Sequence, residues 1–149
     1  MAIVVCDRFT PFLAKGTGMY VMPLDTGANI GKGVLREAQA SLPGFRRDFI
    51  QHVVLENIQP GHAVYLPTCK TLLVCTRQSW QKPPRLDHVL GCIQCVKETI
   101  TRLSPVSVSI PRLVLHSHRD TDAVESAMVD ALDDLPVDIR YFPHRSERE

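Results

Sequence analysis

Apolar residues recur along this chain with two periods, and the switches between them outline its elements. Short runs rich in β-branched residues, at 3–6, 20–24, 63–66, 71–75, 106–115 and 137–142, read as strands. The run at 3–6 is apolar throughout and predicts a buried strand. Only Thr68-Cys69-Lys70 separates 63–66 from 71–75, which predicts an antiparallel hairpin. Helical spacing takes over between these runs. Val34, Leu35, Ala38 and Leu42 share one face of a helix over 31–41, stopped by Pro43-Gly44. Phe49, Ile50, Val53 and Val54 stripe a second helix over 46–57. The strongest pattern is Leu86, Val89, Leu90, Ile93, Val96, Ile100 and Leu103, a helix over 85–103 ended by Pro105. A last helix spans 121–132, with Asp120 or Thr121 as its cap. Strands that alternate with helices predict an α/β fold: a three-layer α/β/α sandwich around a mixed sheet.

At 149 residues the chain fits one domain, here 1–143, followed by a charged tail, 144–149. Seventeen basic and sixteen acidic residues leave a formal net charge of +1, so no whole-molecule field draws nucleic acid or a membrane. Arg36, Arg46, Arg47 and Lys32 are too few, and too short of interleaved aromatics, for more than weak nucleic-acid binding. Five cysteines, an odd number with irregular spacing, argue for a reducing compartment and against a disulfide framework. No signal segment or spanning run appears, so a cytoplasmic protein without membrane contact is expected.

The stretch Asn29-Ile30-Gly31-Lys32-Gly33-Val34 carries most of the chemistry. A strand feeds the turn Asp25-Thr26-Gly27, and a Gly-Lys-Gly hinge opens straight into a helix. Glycines there let backbone N–H groups approach a ligand, and the helix terminus adds partial positive charge, which suits phosphate or diphosphate.

Four pieces in order resemble a macro domain, the ADP-ribose-binding α/β module. These are Cys6-Asp7-Arg8-Phe9 after the first strand, Ile30-Gly31-Lys32-Gly33-Val34, the hairpin strands followed by Lys82-Pro83, and Val108-Ser109-Ile110-Pro111-Arg112. The resemblance is to the branch with the ADP-ribosyl-glutamate glycohydrolases and ADP-ribose-1''-phosphate phosphatases. It implies ADP-ribose or a related nucleotide, free or on an ADP-ribosylated protein, as partner, with hydrolysis of an ADP-ribose ester or phosphate as the activity. No cofactor and no metal is implied.

The resemblance also assigns roles. Asp7 would accept a hydrogen bond from the adenine amino group; its alternative is a turn cap. Gly31, Lys32, Gly33 and Val34 would line the distal ribose and diphosphate, flanked by Asp25 and Asn29 at ribose hydroxyls. A second phosphate-binding connection should follow the strand over 106–115. Here it reads His116-Ser117-His118-Arg119-Asp120, without the family's glycines, so Ser117 and Arg119 stand in as side-chain donors. The family's nucleophilic lysine aligns with Thr76 or Arg77, and arginine is a poor nucleophile, so that lysyl mechanism does not transfer. His118 and Asp120 are the candidate general bases. In an extended segment His116 and His118 would face one side. The competing reading is a pocket that no longer binds nucleotide, in a module that works through protein contacts.

Two further patterns carry candidate chemistry. His88, Cys92 and Cys95 share a helical face and, with Cys75 or Cys69, have zinc-ligand chemistry; small core residues are the simpler account. Trp80 reads as a surface contact for a partner or a base. The lack of a Gly-x-Ser-x-Gly elbow argues against a Ser-His-Asp hydrolase.

Overall fold

The computed structural model describes residues 3–25, 33–54, 58–78, 84–113 and 118–143, with backbone alone at 25, 33, 118 and 119. Its strands are β1 (Ile3–Val5), β2 (Met19–Asp25), β3 (Ala63–Leu66), β4 (Thr71–Arg77), β5 (Ser107–Pro111) and β6 (Asp138–Phe142). They form one six-stranded sheet in the order β1-β6-β5-β2-β4-β3. Every neighbouring pair is parallel except β3 and β4, which form the expected antiparallel hairpin. The helices are α1 (Gly33–Ser41), α2 (Phe45–Phe49), α3 (Leu86–Leu103) and α4 (His118–Leu132). A π-helical stretch, Ile50–Val54, continues α2.

The period of two along β2 divides the core between the two faces of the sheet. Met19 and Val21 point to one face, where α3 and α4 pack through Val89, Cys92, Ile93, Val96, Ile100, Val124, Met128 and Leu132. Tyr20, Met22 and Leu24 point to the other, beneath Leu35 and Ala38 of α1, Phe45 and Phe49 of α2, and Val53. The result is the three-layer α/β/α sandwich with a mixed sheet. Truncating Ile100, which is 1% exposed, to alanine removes about 3 kcal/mol of packing.

Tight backbone contacts hold the layers in register. Gly18 precedes β2, and a Cβ there would meet the Ser107 carbonyl oxygen at 2.7 Å. Its N–H instead donates to Ser107 Oγ at 2.9 Å, which seats β2 against β5. No helix among the described residues is long and apolar enough to cross a membrane.

Several expectations need correction. β1 is not buried: it is the edge strand beside β6, and Val4 and Val5 are 54% and 65% exposed. Ile50 and Val54 also face out, because the wider π-helical turn keeps only Phe49 and Val53 on the core side. Leu90 and Leu103 sit at the margin of the α3 stripe, partly exposed. The strand predicted over 106–115 stops at Pro111, and α4 opens at His118 rather than at residue 121.

Candidate functional site

Five parallel strands end at one edge of the sheet, and the chemistry-bearing positions gather there. Asp7 follows β1, Asp25 ends β2, Arg77 ends β4, and Arg112 follows β5. The backbone of Asp25 is in register with that of Arg77. The N-termini of α1 and α4 open from the same edge.

The gap between β2 and β5 divides this edge. After β2 the chain crosses to α1 on one face; after β5 it crosses to α4 on the other. Adjacent strands whose connections leave to opposite faces create a crevice at their carboxyl ends, the usual place for a ligand in such sheets. The β2–β5 ladder pairs Met19 with Val108 and Tyr20 with Ser109, and goes no further. β2 runs three residues higher than β5 beyond that point, a step of about 10 Å.

Two prolines end that ladder. The Tyr20 N–H donates to the Lys70 carbonyl, on the β4 side. By alternation, residues 19, 21 and 23 turn their amide groups towards β5. The Arg112 N–H donates to the Phe142 carbonyl, on the β6 side, so residues 107, 109 and 111 turn theirs towards β2. Pro23 and Pro111 thus occupy the next facing positions, and neither has a proton to give.

Asp7 is engaged in its own turn. Its Oδ1 accepts from the Phe9 N–H at 2.9 Å, the Thr10 N–H at 3.0 Å and the Thr10 hydroxyl at 3.1 Å. This is the turn-capping geometry, and it fixes the carboxylate at the end of β1. Val34, in the first turn of α1, is half-buried and packs against the core beneath that helix. Asn29, Gly31, Lys32, His116 and Ser117 lie outside the described residues, as do Trp80, Lys82, Pro83 and the tail.

His118, Arg119 and Asp120 form the first helical turn of α4, and Asp120 is partly exposed. His118 is therefore helical, and the extended spacing that would align it with His116 does not apply. Acidic and hydroxyl groups suit this end of a helix, as do anions bound from outside.

Arg112 is the site residue that motif reasoning passed over, although it closes the quoted Val108–Arg112 run. Its Nη2 donates to Thr121 Oγ1 at 3.4 Å, a long contact. Its Nε is buried and has no hydrogen-bond partner among the described residues. Nearby, burial pushes the Tyr141 hydroxyl well above its ordinary range, helped by the hydrogen bond to the Glu125 carboxylate and its charge, and opposed by Arg112. This cluster ties the start of α4 to the ends of β5 and β6.

The thiols form a separate group behind β4. Cys92 Sγ donates to the Cys75 carbonyl at 3.2 Å, which also accepts the Gly61 N–H at 2.8 Å. Cys95 Sγ reaches the Gly61 carbonyl at 3.7 Å. Burial, then the neighbouring Cys95 and Cys75, push the Cys92 thiol up to about 12. At neutral pH it is protonated and serves as a hydrogen-bond donor. Among the described residues no three His, Cys, Asp or Glu side chains group as metal ligands.

No protein-family model matches the chain, and no curated protein matches it in sequence. Solved structures do match its fold. The macrodomain of Thermus aquaticus DarG superposes with a TM-score of 0.78 at 17% identity, covering 96% of this chain and 99% of its own. The macrodomain of Mycobacterium tuberculosis DarG gives 0.77 at 19%, covering 95% and 98%. Thermosipho africanus DarTG, solved in complex with ADP-ribose, gives 0.70 at 16% over 85% of this chain and 38% of that one. The chain has the macro-domain fold.

Proposed function

We propose that this chain binds ADP-ribose, or a related nucleotide, in the crevice between β2 and β5. The observation that carries the reading is the pair of prolines, Pro23 and Pro111, that leave the carboxyl ends of these strands unlaced at the switch between faces. A diphosphate held there would meet Gly31 and Lys32 of the connection 26–32, and Gly33 at the start of α1, on one side. The turn containing Ser117 and Arg119 would flank the other. The start of a helix favours an anion at both. The macro-domain fold, shared with a DarTG solved in complex with ADP-ribose, supports the choice of ligand. Asp7, at the end of β1, suits the adenine end, with Asp25 and Asn29 towards ribose. An ADP-ribosyl group on a protein is the same ligand in attached form.

Hydrolysis of an ADP-ribose ester or of ADP-ribose-1''-phosphate belongs to the proposal as a second step. Asp120 or His118 would take the proton of the attacking water, as general base. Arg77, at the end of β4, serves an anion better than it serves as nucleophile.

Calorimetric titration with ADP-ribose tests the first step, with AMP as control. Saturable heat for the wild type, lost in Gly33→Glu, is the expected result; the added carboxylate would repel a diphosphate. Absent heat for the wild type would overturn the reading and leave the protein-contact module. Turnover of an ADP-ribosyl ester, abolished in Asp120→Ala or His118→Ala, tests the second.

A further inference from the structure

The sheet has a second edge feature, on the far side of β4 from the crevice. β3 is the outermost strand on the β4 side, and among the described residues nothing pairs with its outer edge. Cys75 N–H donates to the His62 carbonyl, so that carbonyl and, by alternation, the amide groups of 64 and 66 turn towards β4. Ala63 and Tyr65 then turn their N–H and C=O groups outward. Two such residues, two apart, present the donor and acceptor spacing that one extended segment needs.

The same two residues line a groove of about 340 Å³ between β3 and the second half of α3. Its floor is Ala63, Leu72 and Cys95; Thr99, Glu98 and Arg102 border it. β3 and α3 both run antiparallel to β4. The apolar part near Cys95 therefore lies beside Ala63, and Arg102 lies beside Tyr65, close enough to pull against the rise that burial gives its phenol. Arg102 makes no ion pair among the described residues. Glu98, one turn earlier, receives a long hydrogen bond from Gln94 at 3.4 Å. A single acid fits beside Arg102, and a second beside Glu98 is repelled.

We propose that β3 and this groove are a docking site for an extended peptide segment of a partner protein. The segment adds a strand to β3, and its alternate side chains enter the groove. An aliphatic residue sits over Ala63, Leu72 and Cys95, and an acidic residue two positions away pairs with Arg102 and the Tyr65 hydroxyl. Main-chain bonds supply affinity and the two side chains supply selection.

The probes are two capped peptides, Thr-Val-Leu-Val-Asp-Val-Thr and its reversed sequence, titrated into the full chain and followed by amide NMR. Expected are shifts at Tyr65, Thr99 and Arg102. Replacing the peptide aspartate by lysine, or Arg102→Glu in the protein, should weaken binding by about tenfold. Combining the two should restore it. Ala63→Pro removes an outward N–H at the first residue of the strand, where proline costs no ladder bond, and should weaken both peptides. Melting curves check that each variant is folded, and the wild-type shift map stands even if one is not. The proposal is overturned by an absence of shifts, by shifts elsewhere, or by binding indifferent to the charge swap. A concentration-dependent dimer abolished by Ala63→Pro would also overturn it, since a second copy would then hold the edge.

Discussion

Pro23 of β2 and Pro111 of β5 stand one residue out of step across the gap between their strands, and each occupies a position where a ladder donor is due. Restoring the donors should close the gap. The double variant Pro23→Val, Pro111→Val is expected to extend the β2–β5 ladder past Tyr20 and Ser109. Each new bond adds about 1 kcal/mol, offset in part by the freedom proline denies the unfolded chain. Thermal stability should hold or rise while ADP-ribose affinity falls by about tenfold or more. Unchanged affinity in a folded double variant would remove the crevice from the argument.

Asp48 anchors the opposite layer. It is 4% exposed; its Oδ2 accepts the Thr68 N–H at 2.8 Å and its Oδ1 the Thr68 hydroxyl at 3.1 Å. One carboxylate thereby clamps α2 to the β3–β4 turn. Asp48→Ala leaves a backbone N–H unpaired and is expected to cost about 2–3 kcal/mol, read as a lowered denaturant midpoint. Thr68→Val removes one bond only and should cost less. Equal losses in the two variants would mean that the N–H is satisfied some other way.

What could be read from the sequence followed from periodicity. The α3 helix and the hairpin at Thr68-Cys69-Lys70 are local patterns, and both form; of the α3 stripe, Leu90 and Leu103 alone turn out exposed. Ile3, Val4 and Val5 of β1 look like a central parallel strand, yet β1 is an edge strand. Periodicity carries no information about where in the sheet a strand is placed. The π-helical stretch escaped for a similar reason: Phe49, Ile50, Val53 and Val54 fit an α-helical stripe, and only packing on β3 selects two of the four. Around the site, both prolines were visible as breaks in apolar runs. Their shared meaning depended on β2 and β5 being neighbours, which chain order alone does not state. Arg112 was hidden by the same limit, since its partners Thr121 and Phe142 come from other elements.

Alkaline pH should weaken the fold through Cys92. Its folded value, about 12, lies above the ordinary thiol value of 9.0, so the neutral thiol is the form that folding favours. The contribution is fully present below about pH 9 and is lost as pH rises towards 12, at up to about 1.4 kcal/mol per pH unit. Cys6, Cys69, Cys95, Tyr65 and Tyr141 are raised by burial as well and act in the same sense. Chemical denaturation in steps upward from about pH 8 should show the decline, and Cys92→Ala should start lower and fall less steeply. Parallel curves for the two proteins would assign the alkaline loss to other groups.

Arg112 separates stability from function most sharply. Its Nε is buried with no partner among the described residues, which costs free energy, and its Nη2 contact with Thr121 is long at 3.4 Å. Arg112→Met keeps most of the side-chain volume and removes the unsatisfied group, so the melting temperature should stay level or rise. The arginine also sits at the end of β5, beside the crevice, where a cation suits a diphosphate. ADP-ribose affinity should therefore fall by about tenfold in the same variant. Arg112→Lys, which keeps the charge but not the planar fork, should recover part of that affinity. A variant that melts several degrees lower and binds as before would make Arg112 a structural brace between β5 and α4 and nothing more.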